Sequence, residues 1–243
     1  MYLYGCVLTT HEELFFASKE VSSMFVTIPF IGNYALAYAL GFAQQSYIGF
    51  DTPRYQKDLN GVKAYVFPAK FVEYNWTTTS FNSIGEGFFL SMKENVVVDA
   101  TVLREYADAG KGPRPRNSPQ IGQFKMIAPE SVAIFYVLAP EKIAFPKFIR
   151  LGKLMSKCEL SVEMLEAEER EGEFVCQHPI NPIDLSSSYD LLSYEVISMK
   201  PVPLIENVKM RGKYLEVRTL IEQNIKQTVF LPSQVCYFAS GSG

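Results

Sequence analysis

The densest gathering of chemically useful side chains is Phe148-Ile149-Arg150-Leu151-Gly152-Lys153-Leu154-Met155-Ser156-Lys157. Strand-forming residues flank one glycine, with three cations and a hydroxyl spaced along them. Gly152 permits a tight turn with backbone N–H groups exposed. Arg150, Lys153 and Lys157 can neutralise phosphates, and Ser156 can hydrogen-bond one; this is equipment for holding a nucleic-acid backbone. The wider stretch Lys142–Lys157 adds Lys142 and Lys147 and contains no acid. A second acid-free stretch carries Lys111, Arg114, Arg116 and Lys125 among Gly110, Gly112, Pro113, Pro115, Pro119 and Gly122. That composition argues against regular structure and reads as a projecting loop able to close over a strand. Tyr106, Phe124 and Tyr136 lie near these stretches and are candidates to stack on bases, although aromatics taken singly more often belong to a core. Solvation alone accounts for either basic stretch equally well, and their pairing beside an acidic run tilts the balance toward binding.

Catalytic constellations are sparse. His11 stands beside Glu12 and Glu13, and His178 precedes Pro179. His11 has the chemistry of a general acid or base. A lone histidine near a strand end is more often structural or solvated, and the spacing does not bring the two together. There is no G-x-S-x-G elbow, no H-E-x-x-H and no D-x-D pair for magnesium. Gly85-Glu86-Gly87 lacks the third glycine of a dinucleotide turn and reads as a bulge or turn. Gly152-Lys153-Leu154 lacks both the upstream glycine and the Ser/Thr of a phosphate loop. Cys6, Cys158, Cys176 and Cys236 are too widely spaced for a zinc site and read as reduced, mostly buried thiols. The expectation is no metal, no cofactor and no catalytic residue.

These groups need elements to position them. The chain has 243 residues, 48% hydrophobic and 20% charged, with a net charge of −3. That mix excludes a disordered chain, and the overall charge does not advertise a polyanionic partner, so any such case is local. Aromatics at 14% favour a β-rich core. No apolar run is long enough to span a membrane, and the start lacks a secretory signal, so a cytoplasmic protein is expected. Tyr2–Thr9 reads as a strand, and Tyr34–Gln45 as a helix capped by Asn33. Val62–Phe67, Phe71–Ser80, Ser131–Leu138, Phe148–Leu151 and Lys157–Leu165 read as further strands. Glu163–Glu173 holds six glutamates against Arg170 and is most cheaply a solvated loop or hairpin tip, which would repel a phosphate chain. Pro179-Ile180-Asn181-Pro182 reads as a linker. Tyr194–Met199, Lys213–Thr219 and Gln227–Leu231 are short β-type runs, and residues 240–243 look like a linker remnant. The fold class is α+β. It is compatible with a ferredoxin-like sheet over 1–165, followed by a β-rich part over 166–239.

Three segments together carry a family resemblance. They are Tyr4…Leu8-Thr9…His11…Leu14-Phe15-Phe16-Ala17-Ser18…Glu20, then Asn33-Tyr34-Ala35-Leu36-Ala37-Tyr38-Ala39-Leu40-Gly41, then Phe148 to Lys157. They resemble the CRISPR-associated Cas-five family in its type I-D form, Csc-one, over roughly the first two-thirds of the chain. The resemblance implies a RAMP-type protein with a ferredoxin-like (RRM-like) domain and a smaller β-rich C-terminal part. It implies a subunit of the type I-D Cascade surveillance complex in antiviral defence. There it would cap the backbone filament and hold the five-prime handle of the crRNA. It would touch a Cas-seven-type backbone subunit and the large Cascade subunit, near the PAM-proximal end of target DNA. Carried over by motif, Arg150, Lys153, Ser156 and Lys157, around Gly152, become the handle contacts. Some relatives in another subtype cut the crRNA precursor without metal, and here His11 and Lys153 would be the only players for such a step. A pure protein–protein scaffold is the remaining alternative.

Overall fold

The computed structural model describes residues 1–22, 24–43, 54–83, 88–91, 96–99, 120–221 and 225–239. The elements run β1 (Tyr2–Thr10), β2 (Lys19–Val21), β3 (Met24–Val26), β4 (Phe30–Ile31), α1 (Asn33–Ala39), α2 (Tyr55–Leu59), β5 (Tyr65–Val66), β6 (Ala69–Glu73), β7 (Trp76–Ser83), β8 (Phe88–Ser91) and β9 (Val96–Asp99). They continue with β10 (Gln120–Ile127), β11 (Val132–Ala139), β12 (Phe148–Leu151), β13 (Ser156–Leu165), β14 (Ala167–Cys176), a 3-10 turn (Pro182–Asp184), β15 (Asp190–Ile197), β16 (Leu204–Ile221) and β17 (Ile225–Pro232). The chain is mostly β, with two short helices among the described residues.

A central antiparallel sheet runs β12-β13-β1-β11-β6-β4, with β5 also paired to β11. The pleat of β1 divides its side chains between two cores. Tyr4, Cys6 and Leu8 join Phe135, Val137 and Ile149 under α1, while Leu3 joins Tyr65, Phe67, Tyr136 and Leu138 on the opposite face. The C-terminal sheet (β14-β16-β15, with β17 on β16) supplies Phe174, Ile205, Val208, Met210 and Leu231 to that second core. Strand β11 is therefore buried on both faces from Phe135 to Ala139, which is why it reads as a continuous apolar run rather than an alternation. The chain passes from one sheet to the other at Glu166, and the two parts share a core. A satellite sheet, β2-β3-β10-β7, and a β8–β9 pair complete the described strands.

A buried carboxylate pins the junction of the two parts. Asp184 accepts from Asn33 Nδ2 at 2.6 Å, Tyr34 Oη at 3.1 Å, Tyr65 Oη at 3.1 Å and the Phe238 N–H at 2.8 Å. Burial raises its pKa, while these four hydrogen bonds favour the ionised form.

Several expectations are revised. Helix α1 stops at Ala39, because Gly41 takes φ +76 and the N–H groups of Gly41 and Phe42 close back on Tyr38 and Ala37. This is a left-handed C-terminal stop signal that the apolar pattern ran through. Asn33 does not cap the helix; Gly32 is the cap, and the Asn33 side chain is used at Asp184. The acidic run is neither loop nor hairpin tip. Most of it forms β14, where Arg170 pairs with Glu168 and Glu216 and Lys209 pairs with Glu173. The Pro179–Pro182 linker is interior: Ile180 bridges Ile205, and Ile180 and Asn181 are buried. The sheet is curled and antiparallel. Residues 84–87, 44–45 and 240–243, bearing on the glycine turn, the helix end and the linker remnant, lie outside the described residues.

Candidate nucleic-acid interface

The β12–β13 hairpin forms because its apolar residues alternate. Ile149, Leu151, Cys158 and Leu160 enter the core under α1 and leave Phe148, Arg150, Lys157 and Glu159 outward. Register places Phe148 opposite Glu159, and Arg150 opposite Lys157. At the turn Gly152 adopts φ +73 and Met155 φ +52. A Cβ on Gly152 would sit 2.5 Å from the Phe15 carbonyl oxygen, so the glycine serves close backbone approach as well as the turn.

That approach ties the hairpin to the segment after β1. Lys153 N–H donates to Phe15 O at 2.8 Å, Ser156 Oγ to Glu13 O at 2.6 Å, and His11 N–H to Lys157 O at 2.9 Å. Lys157 N–H donates to Glu12 Oε2 at 2.7 Å. Two expected contributions change in consequence. Ser156 is buried, with its hydroxyl committed to Glu13, so it holds the turn rather than presenting an oxygen to a phosphate. The Lys153 N–H is also committed, so the turn does not offer that group to an anion.

The cations remain on the outside. Arg150 is about half exposed, with Nη1 3.2 Å from Glu12 Oε2 and 3.1 Å from Met155 O. Lys153 is exposed and has no ion pair among the described residues. Lys157 Nζ lies 4.2 Å from the Phe148 ring centroid. Lys147 Nζ reaches Glu159 Oε1 at 3.3 Å, and His11 Nε2 stands 3.1 Å from Glu159 Oε2. Hydrogen bonds from Lys147 and His11 hold the Glu159 carboxyl below its ordinary pKa. The segment that is acid-free in sequence is thus partly neutralised by Glu12 and Glu159. An exposed arginine pair of this kind is worth at most about 1 kcal/mol, so a phosphate can compete for the guanidinium.

The two histidines separate sharply. His11 lies on the hairpin, its ring edge-on to Phe148 at 6.0 Å. His178 is buried against Tyr136 and Phe67, donates Nε2–H to Pro68 O at 2.8 Å, and has its pKa pushed down to about 3 by desolvation. Tyr136 is therefore core, not a stacking surface. Phe124 packs with Phe15 and Phe25 in a small satellite core. Lys125 is not in a loop; it lies on β10, with Nζ 4.0 Å from the Trp76 ring. Lys111, Arg114, Arg116 and Tyr106 lie outside the described residues. Phe148 is a surface aromatic of the hairpin to which sequence reasoning gave no stacking role, and its place in a strand beside spaced cations is the signal that could have found it. All four cysteines are unpaired, and burial pushes the Cys158 and Cys176 thiols up to about 12, the behaviour of inert packing groups. Among the described residues, no helix is long and apolar enough to cross a membrane, and no three His, Cys, Asp or Glu side chains gather as a metal group.

The curled antiparallel sheet thus carries a cationic hairpin held by main-chain hydrogen bonds, which is the candidate nucleic-acid interface. The model of the type I-D CRISPR-associated protein Cas5/Csc1 family matches residues 1–240, and the chain belongs to that family. No curated protein matches. Among solved structures, the chain is similar to a CRISPR protein from Archaeoglobus fulgidus, at 12% identity and TM-score 0.42, covering 95% of this chain and 99% of that one. It is also similar to a chain of the Type III-B Cmr-beta complex bound to cognate target RNA and AMPPnP, at 12% identity and TM-score 0.43, covering 86% of each. Both likenesses are distant. Family membership makes the chain a CRISPR effector-complex subunit.

Proposed function

We propose that this chain is a non-catalytic subunit of the type I-D Cascade complex that holds the five-prime handle of crRNA through Arg150, Lys153 and Lys157. The observation that carries the reading is the hairpin itself. Its backbone is fixed by Gly152, Ser156 and the Glu12–Phe15 segment, while its cations project outward. Cations on a pre-positioned element lose little further freedom on binding, which favours phosphate contact. Guide pairing reads sequence in such complexes, leaving protein to hold backbone and shape. The reading includes a ferredoxin-like RAMP topology. It also includes contact with a Cas-seven-type backbone subunit, the large subunit and PAM-proximal target DNA, in the cytoplasm.

The test is a titration of handle RNA at several salt concentrations. Arg150→Gln combined with Lys153→Gln should weaken binding and make the log affinity–log salt slope shallower by about 1.4, or about 0.7 per lost single-strand phosphate contact. A pure scaffold predicts no change in either quantity.

A second reading has its own observation. Glu159 holds His11 on the same hairpin as Lys153, an arrangement in which a carboxylate orients an imidazole for acid–base work. Incubating the chain with repeat RNA and chelator decides between them. Specific cuts lost in His11→Ala would establish a metal-independent endoribonuclease; intact RNA supports the holding role.

A further inference from the structure

Strand β15, Asp190-Leu191-Leu192-Ser193-Tyr194-Glu195-Val196-Ile197, ends its sheet, and residues 190–196 are all exposed. Leu191 is 41% exposed, Leu192 49%, Tyr194 51% and Val196 63%. Four large apolar side chains exposed along seven residues of one edge strand are a concentration that monomeric surfaces generally avoid. The opposite end of the same sheet shows how this chain protects an edge. There β14 carries Glu168, Glu169, Glu171 and Glu173, of which Glu168 and Glu173 are held in ion pairs. Charge is a standard guard against unwanted pairing, and β15 has little of it.

The form of β15 restricts what can dock on it. Its register against β16 shifts between Leu191 and Ser193 and again between Ser193 and Glu195, leaving Leu192 and Tyr194 without partners on β16. Such bulges re-aim side chains and interrupt the ladder that an added strand would need. Docking through side chains is therefore favoured over strand addition. The ionisable side chains on β15, apart from the Tyr194 phenol, are Asp190 and Glu195, and Glu195 lies opposite Glu206 in the ladder. Glu206 is matched by Lys70 at 2.9 Å, and Asn207 Nδ2 donates to Glu195 at 3.2 Å, so Glu195 has a hydrogen-bond donor but no ion pair among the described residues. Arg211 lies opposite Asp190 and Lys209 opposite Ser193, but both are paired with Glu173, so with Asp190 and Glu195 the surroundings of the patch hold no excess of positive charge for RNA, DNA or anionic lipid to seek.

We propose that β15 is a docking surface for another protein chain, which receives Leu192, Tyr194 and Val196 in an apolar pocket rimmed by lysine or arginine facing Asp190 and Glu195. A tyrosine at the centre of an apolar patch is the composition of an interface anchor. The choice of partner rests on the effector-subunit reading: the occupant is a different subunit of the particle.

The test places a benzophenone side chain at position 192 of the full chain, in particles purified through a different subunit. Irradiation should yield an adduct to another protein subunit, mapping to an apolar segment next to Lys or Arg. Tyr194→Ser with Val196→Ser should lower incorporation at least tenfold while leaving the thermal midpoint of the free chain unchanged. An adduct to RNA, an adduct to a second copy of this chain, or wild-type incorporation of the double variant would each overturn the proposal and leave the handle reading standing. Full particles assembling without this chain would overturn both.

Discussion

Two polar constellations in this protein draw residues from distant parts of the chain, and they do opposite work. Around Asp184, donors from α1, β5 and the C-terminal segment converge on one carboxylate, all but the Phe238 N–H being buried side chains. Around the β12–β13 turn, His11 and Lys147 with Glu159, and Arg150 with Glu12, form exposed pairs that water also reaches. The first group is satisfied internally and faces no solvent, so its role is to fix the junction of the two sheets. The second is held by main-chain bonds while its charged ends remain outside, so they can be re-paired by a ligand. Placement of the charged ends relative to water, rather than the presence of titratable residues, separates architecture from a binding surface.

The largest expected effect tests the buried side of that contrast. Asp184→Ala leaves Asn33, Tyr34, Tyr65 and the Phe238 N–H without their acceptor, and should destabilise the fold by about 4 kcal/mol in urea unfolding. A loss below about 1 kcal/mol would show that the junction does not depend on it.

Gly152→Ala comes next. The added Cβ meets a backbone oxygen at 2.5 Å with φ at +73, and the expected cost is about 3 kcal/mol. Handle binding measured at a temperature where the variant is still folded should also fall, because the cations lose their fixed platform.

His178 supplies a pH test. Its folded pKa is about 3, below the unfolded value, so the unfolded chain takes up a proton that the folded chain refuses. Its stabilising contribution is complete above about pH 6.5 and is lost progressively as the pH falls toward 3, at about 1.4 kcal/mol per unit. At pH 5 the loss is about 2 kcal/mol. His178→Gln should flatten that part of the urea-midpoint profile.

The smallest effect on stability belongs to the exposed side. Lys153→Gln should change unfolding free energy by less than about 0.5 kcal/mol, yet make the salt slope of RNA binding shallower by about 0.7. A stability loss as large as that of Gly152→Ala would dissolve the contrast between scaffold and contact.

Much of the local structure was legible from residue pattern. Phe148–Leu151 alternates cleanly because one side of β12 meets the core and the other meets water, and the strand has those bounds. The glutamate run was misread because charge marks solvent exposure, and a strand with a solvated face is exposed too. The Pro179–Pro182 segment was misread because proline marks a turn without saying whether the turn is covered. The acid-free character of Lys142–Lys157 was true of the chain and untrue of the surface, since the strand registers bring Glu159 opposite Phe148 and the segment after β1 brings Glu12 to Arg150.

The sequence by itself determined the family motifs, the strands around Gly152 and the cations they carry, because these depend on neighbours a few residues apart. Tertiary structure alone decided that Ser156 faces inward, that His11 joins the hairpin while His178 is entombed, and that one sheet edge is guarded by glutamates and the other left apolar. Those outcomes depend on which distant segments pack together, and burial, the quantity that sets the cost of every polar group, does not exist until they do.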